Sequence, residues 1–152
     1  MSSVSASIEA KFLEVFREMM PDMQSVGLLE VSGEGSAKFE NPTSVQVRVY
    51  NFTQLHEAMG MFSVAVEIRL NVEQSESANG GLFADAHEKI STWMEDVMLD
   101  DRCTILSTPR AYIDGFQRGG DDKDFDTLGG MWYAVWDLTL TGRIKKQEVA
   151  NG

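Results

Sequence analysis

The chain has 152 residues, and its 13 lysines and arginines against 24 aspartates and glutamates leave a formal net charge of −11. That balance argues against a protein that wraps a phosphate backbone, which needs a basic stripe. A hydrophobic fraction of 43% excludes global disorder, the single cysteine, Cys103, excludes an intrachain disulfide, and no apolar run approaches the roughly 18–20 residues that span a bilayer.

The predicted elements begin with a helix. Ile8, Phe12, Val15, Phe16 and Met19 recur at spacings of three and four and form one apolar stripe. Ser5 or Ser7 is placed to cap it, Glu9 favours its first turn, and Pro21 should end it. Val26–Val31 reads as a short strand, and Ser32–Pro42, with Gly33 and Gly35, as an exposed loop. Val45, Val47 and Val49 then alternate with polar neighbours as a half-buried strand, and Asn51–Gly60 reads as a connection with room for one helical turn. Val64, Val66, Ile68, Leu70 and Val72 alternate with Ala65, Glu67, Arg69 and Asn71, the clearest strand in the chain.

Glu73–Gly81 is polar and predicts a mobile loop, followed by a helix over Leu82–Met98. Phe83, Ala86, Ile90, Trp93, Met94, Val97 and Met98 give that helix its apolar face. Cys103–Leu106 and Arg110–Phe116 read as strand pieces, Gln117–Gly130 as a loop rich in glycine and aspartate, and Met131–Ile144 as the last strand. The tail after Ile144 has no apolar period, so residues 146–152 are expected to be disordered and residues 1–145 to form one domain. The predicted class is α+β: a mainly antiparallel sheet of four to five strands packed with two helices.

The motifs point away from catalysis. His56 and His87 lie on different elements, too few for a zinc site with Cys103 as the one thiolate, and both read as surface histidines. Cys103 sits in the apolar run Cys-Thr-Ile-Leu, the usual setting of a buried structural cysteine. No Gly-x-Ser-x-Gly and no phosphate-binding glycine pattern occurs. Asp122, Asp124 and Asp126 have the one-three-five spacing of a calcium loop, but Thr127 stands where that loop needs glycine and no glutamate closes it. The acidic run Asp121–Asp126 therefore reads as a solvated loop or an acidic rim, and no cofactor or metal is expected. Trp132 and Trp136 point to one side of the last strand and Tyr133 and Val135 to the other. A strand apolar on both sides calls for cover on both, which a neighbouring subunit can supply.

The span from about Phe62 to Ile144 resembles the tail-terminator, or tail-completion, family of tailed bacteriophages. The resemblance rests on the alternating strand Val64–Val72, a loop, the amphipathic helix Ala84–Met98 with Ala86-His87-Glu88-Lys89-Ile90, and the strands Arg110–Gln117 and Met131–Thr141. A helix like Ile8–Met20 also precedes the sheet in such proteins, whereas Gly27–Gly60 departs from the pattern. The resemblance implies a structural virion protein without catalytic motif: a ring, commonly a hexamer, in the neck, contacting the tail tube and the head connector. DNA would pass through its lumen without specific binding, and no membrane is involved. The net charge of −11 is compatible with that role, although plain solubility is its simpler reading. Candidate interface or lumen residues are Phe12, Phe16, Glu73, Glu76, Asp121, Asp122, Asp124, Asp126 and Tyr133. The rival functions are a small cytosolic protein-binding adaptor, another head-tail completion protein, and an enzyme centred on Cys103 or His87.

Overall fold

The computed structural model describes residues 3–19, 30–33, 44–56, 60–73, 79–99, 106–126 and 131–145. Among them the chain runs α1 (Val4–Met19), β1 (Glu30–Gly33), β2 (Ser44–His56), β3 (Met61–Glu73), α2 (Asn79–Leu99), β4 (Ala111–Asp126) and β5 (Met131–Ile144). The strands form one sheet in the order β1-β2-β3-β5-β4. The short β1 pairs parallel to β2, and every other pair is antiparallel. This is an α+β fold of two helices on a mainly antiparallel sheet, as the patterning implies.

The helices form because each carries one apolar stripe that the sheet covers. In α1, Val4, Ile8, Phe12 and Phe16 recur at intervals of four and are all buried. The cap is Ser3, whose hydroxyl accepts from the Ala6 amide at 3.1 Å, so Ser5 and Ser7 lie inside the helix rather than capping it. In α2 the buried set is Phe83, Ala86, Ile90, Met94 and Val97. Trp93 bridges the two helices, its ring edge-on to Phe12 at 5.5 Å and to Phe16 at 5.3 Å. α2 starts earlier than its apolar stripe does, at Asn79. A helix's first turn makes few intrahelical demands on its amides, so Gly80 and Gly81 are tolerated there.

The sheet is centred on β3 and β5, whose pairing runs without a break from Met61 opposite Arg143 to Glu73 opposite Met131. Val64, Val66, Ile68, Leu70 and Val72 stand opposite Leu140, Leu138, Trp136, Ala134 and Trp132. Paired residues share a face, and all of these are buried except the partly buried Trp132. Val45 and Val47 extend the same face onto β2, and Ala111 and Ile113 onto the start of β4.

Several expectations fail for identifiable reasons. Residues 51–56 are not a connection but the second half of β2. A bulge between Tyr50 and Thr53 resets the alternation, with Asn51 at φ 54° in the left-handed region that asparagine tolerates. Gly60, at the entry to β3, has φ 61°, and its carbonyl accepts from the Ile144 amide at 3.0 Å. Residues 117–126 are not a loop but the continuation of β4. The strand's glycines serve close approach: a Cβ at Gly115 would collide with the Thr141 hydroxyl, which instead donates to Asp114 at 3.2 Å. Leu106 is buried but outside any strand, and Thr108 and Ala111 close a tight turn that leads into β4. Residues 26–29 of the expected first strand, most of the expected loop over 32–42, Cys103, Glu76 and the 146–152 tail lie outside the described residues.

Candidate interaction surfaces

Both described helices lie on one face of the sheet, so no described helix covers the opposite face, and its residues are those that alternate with the core. Gln46, Arg48 and Tyr50 on β2 are followed across the sheet by Glu67, Arg69 and Asn71 on β3, then by Tyr133, Val135, Asp137 and Thr139 on β5. This surface is polar and internally organised. Arg69 pairs with Glu67 at 3.5 Å, and the Arg48 guanidinium sits 4.7 Å from the centre of the Tyr50 ring. Tyr133 and Val135 are half-buried within it. The outer side of β5 is apolar only at its start, at Tyr133 and Val135; beyond Val135 it passes to Asp137 and Thr139, which are exposed.

Spare apolar surface lies elsewhere. The exposed large hydrophobic residues among those described are Phe52, Leu55, Met98, Leu99, Tyr112 and Ile144. The register brings four of them to one end of the sheet. The last part of β2 pairs with the start of β3, Met61 pairs with Arg143 near the end of β5, and Arg143 pairs with Tyr112 at the start of β4. Met98 and Leu99 end α2 toward the same side, because Phe83 packs by Trp132 and His87 by Trp136, so the helix runs with β5. Phe52 is stacked on the fully buried Phe62 at 5.3 Å, which ties this end to the core, while Leu99 is 82% exposed. This end of the sheet therefore carries more exposed apolar side chains than any other described part of the strands.

The second feature is an edge. β4 ends the sheet order, and no described strand pairs along its outer side. Two register shifts interrupt its pairing with β5, between Ile113 and Gly115 and between Arg118 and Asp121. Bulges of this kind blunt an edge against indiscriminate pairing.

The residues singled out from sequence separate into three groups. Phe12 and Phe16 are fully buried against Trp93, so they are core and not interface, because their stripe faces the sheet rather than a partner. Asp121, Asp122, Asp124 and Asp126 are not on a loop. They lie on β4, with backbone partners Trp136, Val135, Tyr133 and Met131. Glu73, the last residue of β3, is also opposite Met131, so β5 runs between Glu73 and Asp126, and Tyr133 between Asn71 and Asp124. The sheet thus collects Glu73, Asp124, Asp126 and Tyr133 at the end remote from Phe52 and Ile144; Glu76 is outside the described residues. Sequence reading misses the apolar end, although Phe52 and Leu55 within an apparent connection, and Leu99 and Ile144 at the tips of apolar runs, are its signal.

His87, read from sequence as a surface histidine, is half-buried between Phe83 and Trp136, its ring 5.0 Å from the tryptophan. Among the described residues no group of three or more histidines, cysteines and carboxylates is placed to hold a metal ion, and no helix is long and apolar enough to cross a membrane. No protein-family model matches the chain, and a search of curated proteins finds no match.

Proposed function

We propose that the chain is a structural subunit that assembles with copies of itself, in the manner of a tail-terminator or tail-completion protein of a phage neck. The observation that carries this reading is the gathering of Phe52, Leu55, Tyr112 and Ile144 at one end of the sheet, with Met98 and Leu99 exposed at the end of α2. A head-to-tail contact needs two different surfaces on each copy, and this end and the opposite end of the sheet differ in chemistry. The outer side of β4, unpaired among the described residues, offers a further site of strand-to-strand contact. In a ring of such subunits the neighbours are the tail tube and the head connector, and the formal charge of −11 suits a lumen through which DNA slides. On this reading the chain is no enzyme and its place is the virion.

Light scattering coupled to size exclusion tests the proposal. The expected species is several times the subunit mass of 16.9 kDa, and Leu55→Asp combined with Leu99→Asp should weaken assembly about tenfold or more. A monomer at every concentration, unchanged by the double substitution, overturns it and favours a monomeric adaptor.

A further inference from the structure

The two ends of the sheet differ in charge as well as in apolarity. At the end that exposes Phe52, Leu55, Tyr112 and Ile144, Arg143 is exposed and stands in register with Met61 on one side and Tyr112 on the other. The Lys145 ammonium sits 4.5 Å from the centre of the Tyr112 ring. The Lys145 amide donates to the Arg110 carbonyl at 2.9 Å, so Arg110 belongs to the same end. Asp114 is the carboxylate among the described strand residues here, and it accepts from the Thr141 hydroxyl at 3.2 Å. At the far end the sign reverses. Glu73 and Asp126 both pair with Met131, Asp124 pairs with Tyr133 and Asp122 with Val135. Paired residues share a face, so these four acidic residues hold register positions on the open face. Arg69 is in the same row as Asp122 and is engaged with Glu67 at 3.5 Å. The ends are the first and last of thirteen paired positions, roughly 40 Å apart at about 3.4 Å per residue. Charges that far apart are beyond a Debye length and do not meet within one chain.

We infer that the Arg143 end of one copy docks on the Glu73 and Asp126 end of the next. The inference rests on the self-assembly proposed above and names the two surfaces that meet. Apolar burial alone would serve equally well a two-fold contact of the Arg143 end with itself. Charge decides between the two. A two-fold contact brings Arg143 and Lys145 toward their own copies, and like charges facing each other across an interface weaken it. The head-to-tail contact sets the same cations against carboxylates while it covers Leu55 and Tyr112. Each copy in such a contact keeps one end free for a further copy.

A charge exchange between the ends tests the arrangement, read by light scattering coupled to size exclusion on variants shown to be folded by circular dichroism. One variant carries Arg143→Glu and Lys145→Glu, the other Asp124→Lys and Asp126→Lys. Each alone presents like charge at both ends and should be a monomer, whereas an equimolar mixture should recover assembly, with the two variants alternating. The unaltered chain supplies a second measurement that needs no substitution. Raising sodium chloride from about 0.05 to 0.5 M should weaken its assembly about tenfold, because screening removes the attraction; a two-fold contact would tighten instead. Assembly of the Asp124→Lys, Asp126→Lys variant alone at the strength of the unaltered chain, a mixture that stays monomeric, or assembly of the unaltered chain that salt leaves unchanged or tightens overturns the head-to-tail pairing and leaves self-assembly standing. An unaltered chain that is monomeric at every concentration removes self-assembly, and this inference with it.

Discussion

The two faces of the sheet are built from the same strands, yet they obey different rules. On the helix-covered face, Phe62, Val64, Val66, Ile68 and Leu70 of β3 have no exposed surface at all. One residue along, Glu67 and Arg69 face water and satisfy each other at 3.5 Å. The covered face is close-packed, so each atom removed leaves a void. The open face is solvated, so its charges gain little from each other and lose little when separated. Stability therefore lives on one face, and the open face is left to vary or to meet a partner.

Substitution can sharpen or break that contrast. Phe62→Ala removes a fully buried ring that supports Phe52, and should cost about 3–5 kcal/mol in urea denaturation; a loss below about 1 kcal/mol would mean the covered face is not close-packed. Gly115→Val forces a side chain against the Thr141 hydroxyl, and should cost about 1–3 kcal/mol by the same measurement. Ser3→Ala removes the α1 cap, with an expected loss of about 1 kcal/mol and faster amide exchange confined to the first turn. Arg69→Ala on the open face should change stability by less than about 0.5 kcal/mol. A larger effect there would show that the solvated face carries structure, and would erase the distinction.

What can be read from sequence follows the same division. β3 is legible because each of its alternate residues is committed to one face, so burial writes a period of two directly into Val64–Val72. Both helices are legible for the same reason at a period near four. The start of β4 is legible as well, but residues 117–126 are not, because β4 lies at the edge of the sheet among the described residues and its composition answers to other demands. Gly115 makes room for Thr141, Gly119 lies where a Cβ would stand 3.1 Å from the Asp137 carbonyl oxygen, and two bulges break the alternation. A strand of glycine and aspartate with bulges has the local look of a loop, and only pairing with β5 reveals it. Phe12 and Phe16 read as interface because a stripe on a lone helix does not say what it faces, and here it is the sheet and Trp93. The apolar end is invisible for a related reason: Phe52, Leu55, Tyr112 and Ile144 come from three strands and meet only through register.

The unbroken pairing of β3 with β5 has a consequence for biogenesis. β3 is synthesised before α2 and β4, but its partner along thirteen paired positions is made only after them. At a translation rate of roughly 5–20 residues per second, the most apolar strand of the chain waits for seconds on the ribosome with one backbone flank open. During that interval β2 and α2 are the native segments able to shield it. A host in which chaperones are scarce should accumulate this protein as inclusion bodies, and slower growth at reduced temperature should recover it.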